Sequence, residues 1–369
     1  MGDTFDLSIE PPKLDPAASV ARHLSNNPEF TEALRDQLGR GVPVTLFGGN
    51  HDAQLAQPHV RDKILACLDL NDKAPLSCGV WCAERYGLHL EHGHIYDPDN
   101  AQTHPLVAPS GETEPLGILL MRRVLAPADA LFFAHAHELT PLRGLAKAFA
   151  ELRTGAPHLV ARYYVEAVRV FARAKPTSFS RELTQGETSL VEFAKTSNLD
   201  IECLRRLLEL RAIPRHHRKK DVFYRLYLDR SIATAVWWST SVLGAMTAAP
   251  AYWGMTGLSL AFLAASLARG KNRYSGSLLY RMRNAALAVR SIVDAQAVIF
   301  GHTHVEETCP GYVNNGSFGF GGTNGRSYLI IDSSGSLLRG FVNGCQEPRV
   351  LDVLMPREAD GCSKPEAAA

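Results

Sequence analysis

The spacing of apolar and polar residues divides the chain into mixed α/β segments at both ends and a long helical segment between them. Residues 15–38 place apolar side chains at helical intervals, and Pro28 predicts a break within this helix. The other elements predicted before residue 93 are a strand at Val42–Phe47, a short helix at 60–70 and a strand pair at 76–92 that turns near Tyr86 and Gly87.

From residue 106 to residue 294 the spacing is almost entirely helical. The predicted helices are Leu116–Val124, Leu142–Leu152, His158–Ala174, Ser189–Thr196, Ile201–Leu210 and Gly276–Ser291. Strands resume at Ala297–Phe300, Ser327–Ile331 and Leu337–Val342. The pattern therefore predicts an α/β core from residues 1–105 and 295–355, a large all-helical insertion at 106–294, and a disordered polar tail at 356–369.

Within this insertion, residues 231–268 form a run of 38 residues without a charged side chain. Pro250 near its middle predicts an apolar hairpin of two helices, each close to the shortest length that crosses a bilayer. Basic residues flank both ends, so an inserted hairpin would keep both ends on the cytoplasmic side. We expect membrane association through 231–268. Interfacial attachment and a buried helical pair in a cytoplasmic protein remain open alternatives.

Charge and cysteine content narrow the partners and the compartment. The formal net charge is +1 at pH 7. A general nucleic-acid-binding protein usually has a clear basic excess, so no nucleic-acid partner is expected. The seven cysteines are scattered and contain no CxxC pair, which is typical of a reducing compartment and argues against a cysteine-held zinc.

Three short motifs place potential metal ligands beside glycine, each after a predicted strand. They are Gly48-Gly49-Asn50-His51-Asp52, His92-Gly93-His94 and Gly301-His302-Thr303-His304. The carboxyl ends of strands are where α/β sheets build active sites. Together the three motifs predict an active site of this kind, which one motif alone would indicate only weakly.

In order and spacing the motifs resemble those of the calcineurin-like metallophosphoesterases. That family has the blocks D-x-H, G-D-x-x-D, G-N-H-D/E, a histidine followed by glycine, and G-H-x-H. The second block is present as Gly2-Asp3-Thr4-Phe5-Asp6, and the segments Asp97–Asn100 and Tyr312–Ser317 also look like this family. Four of the five blocks match, and the resemblance covers roughly residues 1–105 and 295–350. It implies a core of layered β-sheets with flanking helices.

The resemblance also implies a role for each motif residue. Asp3 would bridge two divalent metal ions; Asn50, His92 and His302 would complete one metal site, and His304 would serve the other. His51 would protonate the leaving group or stabilise its charge, and Asp6 would hold His51 oriented and cationic. Asp52 and His94 would lie behind the ligands or contact the substrate. Mn²⁺ is the first metal expected for this set of His, Asp and Asn ligands, with Fe, Zn and Mg as alternatives.

The first family block, D-x-H, is absent, because nothing precedes Met1 that could supply it. Without that block the second metal keeps only Asp3 and His304, which are few ligands for a tight transition-metal site. One interpretation is that the natural chain begins upstream. The other is a homologue that uses one metal or has lost catalysis. We expect the first, since all the other ligands are present.

The implied function is hydrolysis of a phosphomonoester, a phosphodiester or a pyrophosphate by a metal-activated hydroxide. The apolar insertion favours a lipid-linked or amphiphilic substrate. Two alternatives remain open. One is a catalytically impaired, membrane-associated binding protein of the same fold, and the other is a soluble phosphodiesterase with a hydrophobic lid.

Overall fold

Two α-helices follow the N-terminal segment that carries Asp3 and Asp6. The computed structural model describes residues 2–10, 14–111, 113–133, 141–173, 177–197, 199–270, 278–317, 325–331, 336–342 and 349–355. Helices α1 (Pro16–Asn26) and α2 (Pro28–Gly39) fill the predicted segment 15–38. They are separate because Pro28 restricts the residue before it, and Asn27 accordingly leaves the helical conformation (φ −127°, ψ 68°).

A small parallel sheet lies beneath these helices. Strand β1 (Val44–Phe47) pairs with β2 (Leu76–Val80), and α3 (Pro58–Cys67) lies between them in the chain. The helices and both strands bury one shared apolar core. The predicted strand at Val42–Phe47 is thus confirmed from Val44, and the loop that follows it carries Asn50 and His51.

A five-stranded sheet carries the remaining motifs at its strand ends. Its order is β3-β4-β5-β7-β6, formed by β3 (Cys82–Arg85), β4 (Leu88–Glu91), β5 (Ala297–Phe300), β6 (Glu306–Cys309) and β7 (Tyr312–Asn315). The three inner strands are parallel, and the two edge strands are antiparallel to their neighbours. Because β4 and β5 are parallel neighbours, His92 and His302 emerge from the same edge. The backbone N–H of His302 donates to the carbonyl oxygen of His92 at 3.0 Å.

A second, antiparallel sheet of order β10-β9-β8 follows in the chain. It contains β8 (Arg326–Ile331), β9 (Leu337–Val342) and β10 (Arg349–Met355). The predicted strands at 297–300, 327–331 and 337–342 are confirmed. Three further strands, β6, β7 and β10, are not predicted, because two of them are only four residues long and form through pairing with distant strands. The predicted tail at 356–369 lies outside the described residues.

Helices make up most of the residues of 106–294 that the structure describes, and the remainder are turns and loops such as 106–111 and 210–214. Its helices are α4 (Leu116–Leu120), α5 (Pro141–Leu152), α6 (Ala156–Arg173), α7 (Thr177–Ser197), α8 (Ile201–Glu209), α9 (Lys219–Arg225), α10 (Leu228–Thr247), α11 (Pro250–Arg269) and α12 (Leu278–Val293). In the core, the strand pair predicted at 76–92 is instead three strands, of which β2 pairs with β1 while β3 and β4 pair with each other. Two helices predicted in the insertion also differ from the structure. The helix predicted at 116–124 changes after Leu120 into a π-helical turn, Met121–Leu125. Helix α7 begins at Thr177, twelve residues before the predicted start at Ser189. The predicted start is late because the first half of the helix is mostly polar and shows no regular apolar spacing.

The predicted hairpin is formed by α10 and α11, and its apolar residues face outward. The residues buried in its seam are small or polar: Thr240, Gly244, Thr256 and Ser259. The hydroxyl oxygens of Thr240 and Thr256 lie 2.9 Å apart. The large side chains are exposed, among them Trp238, Met246, Trp253 and Leu258. Of the described helices, α11 alone is long and apolar enough to cross a membrane.

A buried ion pair joins the insertion to the core behind the candidate site. Asp99 follows the His92–His94 motif, and its Oδ2 accepts hydrogen bonds from Nε and Nη2 of Arg225 at 2.7 and 2.5 Å. Arg215 Nε lies 2.7 Å from the other oxygen, Asp99 Oδ1. Asp99 and Arg225 are both buried, so each depends on the other for charge compensation.

We predict that Arg225→Met lowers the free energy of unfolding by about 3 kcal/mol, because it leaves a buried carboxylate with only one of its two cations. The measurement is urea unfolding at neutral pH. The control is Arg205→Met, which removes the exposed pair between Arg205 and Glu202 (2.7 Å) and should leave the unfolding curve unchanged. Equal effects of the two substitutions would contradict a stabilising role for the Asp99 ion pair.

Candidate active site

The carboxylate of Asp52 joins two loops through hydrogen bonds. One loop carries Asp3, and the other carries Asn50 and His51. Asp52 Oδ2 accepts hydrogen bonds from the backbone N–H of Thr4 at 2.7 Å and of Phe5 at 3.2 Å. Its Oδ1 accepts from the N–H of Gly49 at 2.8 Å and of Asp3 at 3.3 Å. Burial and the charge of Asp3 raise the pKa of Asp52 to about 6, against the opposing effect of these donors. Asp52 is fully buried and acts as an internal anchor for both loops.

Three of the predicted metal ligands meet beside this anchor. His92 Nε2 lies 3.0 Å from Asp3 Oδ2 and 3.1 Å from Asn50 Oδ1. Glycine is required for this approach, because a Cβ on Gly49 would lie 2.0 Å from Asp3 Oδ1. Burial opposes ionisation of Asp3, but the charges of His92 and His51 outweigh it and hold the pKa of Asp3 well below its usual value. One carboxylate, one amide oxygen and one imidazole nitrogen therefore converge from three separate segments.

His302 lies next to this trio and is held by a carboxylate. The ring centroids of His92 and His302 are 5.3 Å apart. His302 Nε2 lies 3.1 Å from Asp97 Oδ2, and Asn100 Nδ2 donates to the same oxygen at 2.7 Å. Burial opposes ionisation of Asp97, but the hydrogen bond and charge of His302 lower its pKa. His302 Nδ1 is buried without a hydrogen-bond partner among the described residues, so this nitrogen is available to a ligand.

His94 and His304, the other predicted histidines, differ in their surroundings. His94 is buried, and its ring centroid lies 5.3 Å from that of His92 and 6.4 Å from that of His302. Burial and the charges of those two histidines lower the pKa of His94 well below its usual value, so it is neutral. His304 is half-buried and adopts a left-handed backbone conformation (φ 57°) directly after the turn at Gly301.

His51 stands at the edge of the trio with a carboxylate and a hydroxyl behind it. Its Nδ1 lies 2.9 Å from Asp6 Oδ1 and 3.0 Å from Ser8 Oγ, and its backbone N–H donates to Asp3 Oδ1 at 2.9 Å. Burial alone would lower the pKa of His51, but the charge of Asp3 and the hydrogen bond with Asp6 raise it to about 9. The imidazole is therefore cationic at neutral pH, with Nδ1–H directed at Asp6.

Two residues that the motifs do not reveal hold this arrangement. Ser8 is fully buried, and its hydroxyl donates to Asp6 Oδ1 at 2.5 Å. Arg122, in the π-helical turn of the insertion, donates from Nη2 to the carbonyl oxygen of Leu7 at 3.1 Å and from Nε to that of Ser8 at 3.2 Å. Only a G-D-x-x-D-x-S spacing could have suggested Ser8. Arg122 is more than a hundred residues away in sequence, and no local pattern indicates it.

The donor chemistry of the trio fits a divalent cation, since carboxylate, amide oxygen and imidazole are all accepted ligand types. The buried nitrogens of His302 and His94 that lack hydrogen-bond partners add further donors close by. The described residues contain no group of three or more His, Cys, Asp and Glu side chains arranged to hold a metal. Asp3, His92, His302 and His304 all lie among the described residues, so the structure does not bring three of these predicted ligands together in ligating positions. The group that does converge is Asp3 and His92 with the amide oxygen of Asn50.

No protein-family model, curated protein or solved structure matches the chain.

We predict that His51 titrates with a pKa of about 9 in protein treated with a chelator. Since the pKa of His51 rises on folding from 6.5, protonated His51 stabilises the fold fully below pH 6.5, and this contribution is lost as the pH rises through 9.

Asp6→Asn should lower the pKa of His51, because it removes the paired charge. The measurement is an NMR titration of the imidazole. Asp69→Asn, at an exposed carboxylate, is the control. An unchanged His51 pKa in Asp6→Asn would contradict the assigned pairing.

Proposed function

We propose that the protein is a metal-dependent phosphohydrolase of the calcineurin-like metallophosphoesterase type. The observation that carries the proposal is the convergence of Asp3, Asn50 and His92 beside a histidine that is held cationic. This arrangement suits a phosphomonoester, a phosphodiester or a pyrophosphate, each of which presents an anionic phosphorus centre next to a leaving oxygen. The parallel strands that deliver His92 and His302 to one sheet edge favour the same class.

His51 is the proposed proton donor. Asp6 holds Nδ1, so Nε2 is the nitrogen from which a proton can reach the departing oxygen. A pKa of about 9 keeps that proton in place at neutral pH. Ser8 contacts both Asp6 and His51, and Arg122 holds the turn that carries Asp6 and Ser8, so both residues would orient His51.

Asp3, Asn50, His92 and His302 are the residues that would hold a divalent metal, and Asp97 would keep His302 oriented. Mn²⁺ is the first metal we propose, with Fe, Zn and Mg as alternatives. The chemistry that two such ions supply when bound is neutralisation of phosphate charge and activation of water. Among the predicted metal ligands, His304 is the one that would serve a second ion.

The hairpin supports a location at the cytoplasmic face of a membrane and a lipid-linked or amphiphilic phosphate as substrate. A seam of small and hydroxyl-bearing residues with large apolar residues outside is the distribution typical of helices packed in lipid. At the base of the hairpin, Arg230 donates to the carbonyl oxygen and the hydroxyl of Ser266, both at 2.9 Å. Arg230 thus joins the two ends of the hairpin, at a position from which its charged group could reach lipid headgroups.

We predict Mn²⁺-dependent hydrolysis of a chromogenic phosphodiester or phosphomonoester, and a fall of about 100-fold or more in kcat/KM for His51→Ala, because the leaving group loses its acid. Chelation should abolish turnover, and added Mn²⁺ should restore it. His59→Ala, at an exposed histidine of α3, is the matched control and should retain activity. Bound Mn²⁺ without turnover of either ester would contradict the hydrolase proposal and favour a binding protein of the same fold.

A further inference from the structure

Helix α6 carries a second apolar face that the fold does not bury. Its inner face is buried through Leu159, Ala167 and Val170. On its outer side the larger residues are Tyr164, Val165 and Val168, which are 42%, 49% and 57% exposed. The i, i+1 and i+4 spacing of these residues places them on one side of the helix.

Helix α5 has the same arrangement. Ala148 is buried, whereas Leu145 and Phe149 are 41% and 50% exposed. A short turn, Arg153–Gly155, joins α5 to α6, and the two helices pack on each other. We name the exposed residues Leu145, Phe149, Tyr164, Val165 and Val168 the α5–α6 face.

The α5–α6 face meets the base of the hairpin. The hydroxyls of Ser231, in the first turn of α10, and Tyr164 are 3.2 Å apart. The hydroxyl of Tyr163 donates to the carbonyl oxygen of Leu226 at 3.0 Å, just before α10 begins. Ile232, next to Ser231, is 55% exposed. The two exposed apolar surfaces are therefore adjacent where the hairpin leaves the body of the protein.

Charge is distributed unevenly along the chain. Residues 106–294 contain 26 Lys and Arg and 15 Asp and Glu, a formal charge of +11, while the rest of the chain carries −10. Residues 141–173, which include α5 and α6, hold six of these cations and only two carboxylates. Amphipathic helices with cationic side chains beside an exposed apolar face are typical of binding in the plane of an anionic membrane.

Helix α6 is also connected to the candidate active site. Arg162 Nε donates to the carbonyl oxygen of Arg123 at 2.5 Å, and Arg123 Nη1 lies 3.8 Å from Glu166 Oε2. Arg123 follows Arg122, whose guanidinium holds the turn behind His51. A membrane contact made by α6 would thus be one structural element away from the turn that orients His51.

We propose that the α5–α6 face lies in the headgroup region of an anionic bilayer beside the hairpin, and that this contact fixes the orientation of the active site over the membrane. The inference rests on the membrane association proposed above and does not depend on hydrolysis. An anionic bilayer matches both properties of the surface. A second copy of the chain would instead bring the same positive charge to the contact.

The test adds one tryptophan to the full chain and measures its fluorescence in vesicles. Val168→Trp places it on the α5–α6 face, and Val191→Trp places it at an exposed valine of α7 as the control (43% exposed, against 57% for Val168). Each protein is incorporated into phosphatidylcholine vesicles with and without phosphatidylglycerol, using normal or brominated acyl chains. The unsubstituted chain gives the emission of the native tryptophans, including Trp238 of the hairpin.

We expect the emission added by Val168→Trp to shift to shorter wavelength and to be mostly lost on brominated lipid, more so with phosphatidylglycerol present. The emission added by Val191→Trp should be unaffected.

Equal quenching of the two added tryptophans, or no quenching of Val168→Trp while the hairpin tryptophans are quenched, would overturn the proposal. A concentration-dependent mass change removed by Val168→Ser, without quenching, would also overturn it and assign the face to a second copy. Loss of hydrolysis leaves these readings unchanged, so a failure here is distinct from a failure of the hydrolase proposal.

Discussion

The carboxylate of Asp52 is the contact on which the candidate site depends. It accepts four backbone N–H groups, three from residues 3–5 and one from Gly49. No strand pairing holds residues 3–5, so this buried carboxylate fixes Asp3 relative to Asn50 and His51. Hydrogen bonds to an ionised acceptor are roughly twice as strong as those between neutral groups. A single carboxylate can therefore hold residues 3–5 and Gly49 together. The separation of Asp3, Asn50 and His92 follows from this anchor together with the parallel strands of the larger sheet.

The helical insertion contributes residues that hold parts of the candidate site in place. Behind the proposed metal ligands, the ion pair of Asp99 with Arg225 fixes α9 against the loop that carries Asp97. Beside His51, Arg122 fixes the turn that carries Asp6 and Ser8. The same insertion bears the apolar hairpin and most of the positive charge. The surface proposed to face a membrane and the residues that orient the proposed acid thus belong to neighbouring parts of one segment.

Local sequence patterns predict those features that depend on neighbours in the chain. Pro28 and Pro250 mark helix boundaries because proline restricts the backbone wherever it occurs. Features that depend on distant contacts are not predictable in this way. Arg122 meets Leu7 and Ser8 across more than a hundred residues, and β6 forms only because β7 is there to pair with it. The motifs indicate which residues gather at the site, whereas the anchoring role of Asp52 requires knowing which backbone groups surround it.

The most direct test of the proposed metal centre is the position of Mn²⁺ bound to the protein, located by anomalous X-ray scattering. We predict an ion in contact with Asp3 Oδ2, Asn50 Oδ1 and His92 Nε2, with His302 turned towards it through Nδ1. An ion bound elsewhere, with these three side chains still contacting only one another, would contradict the assignment of this cluster as the metal centre.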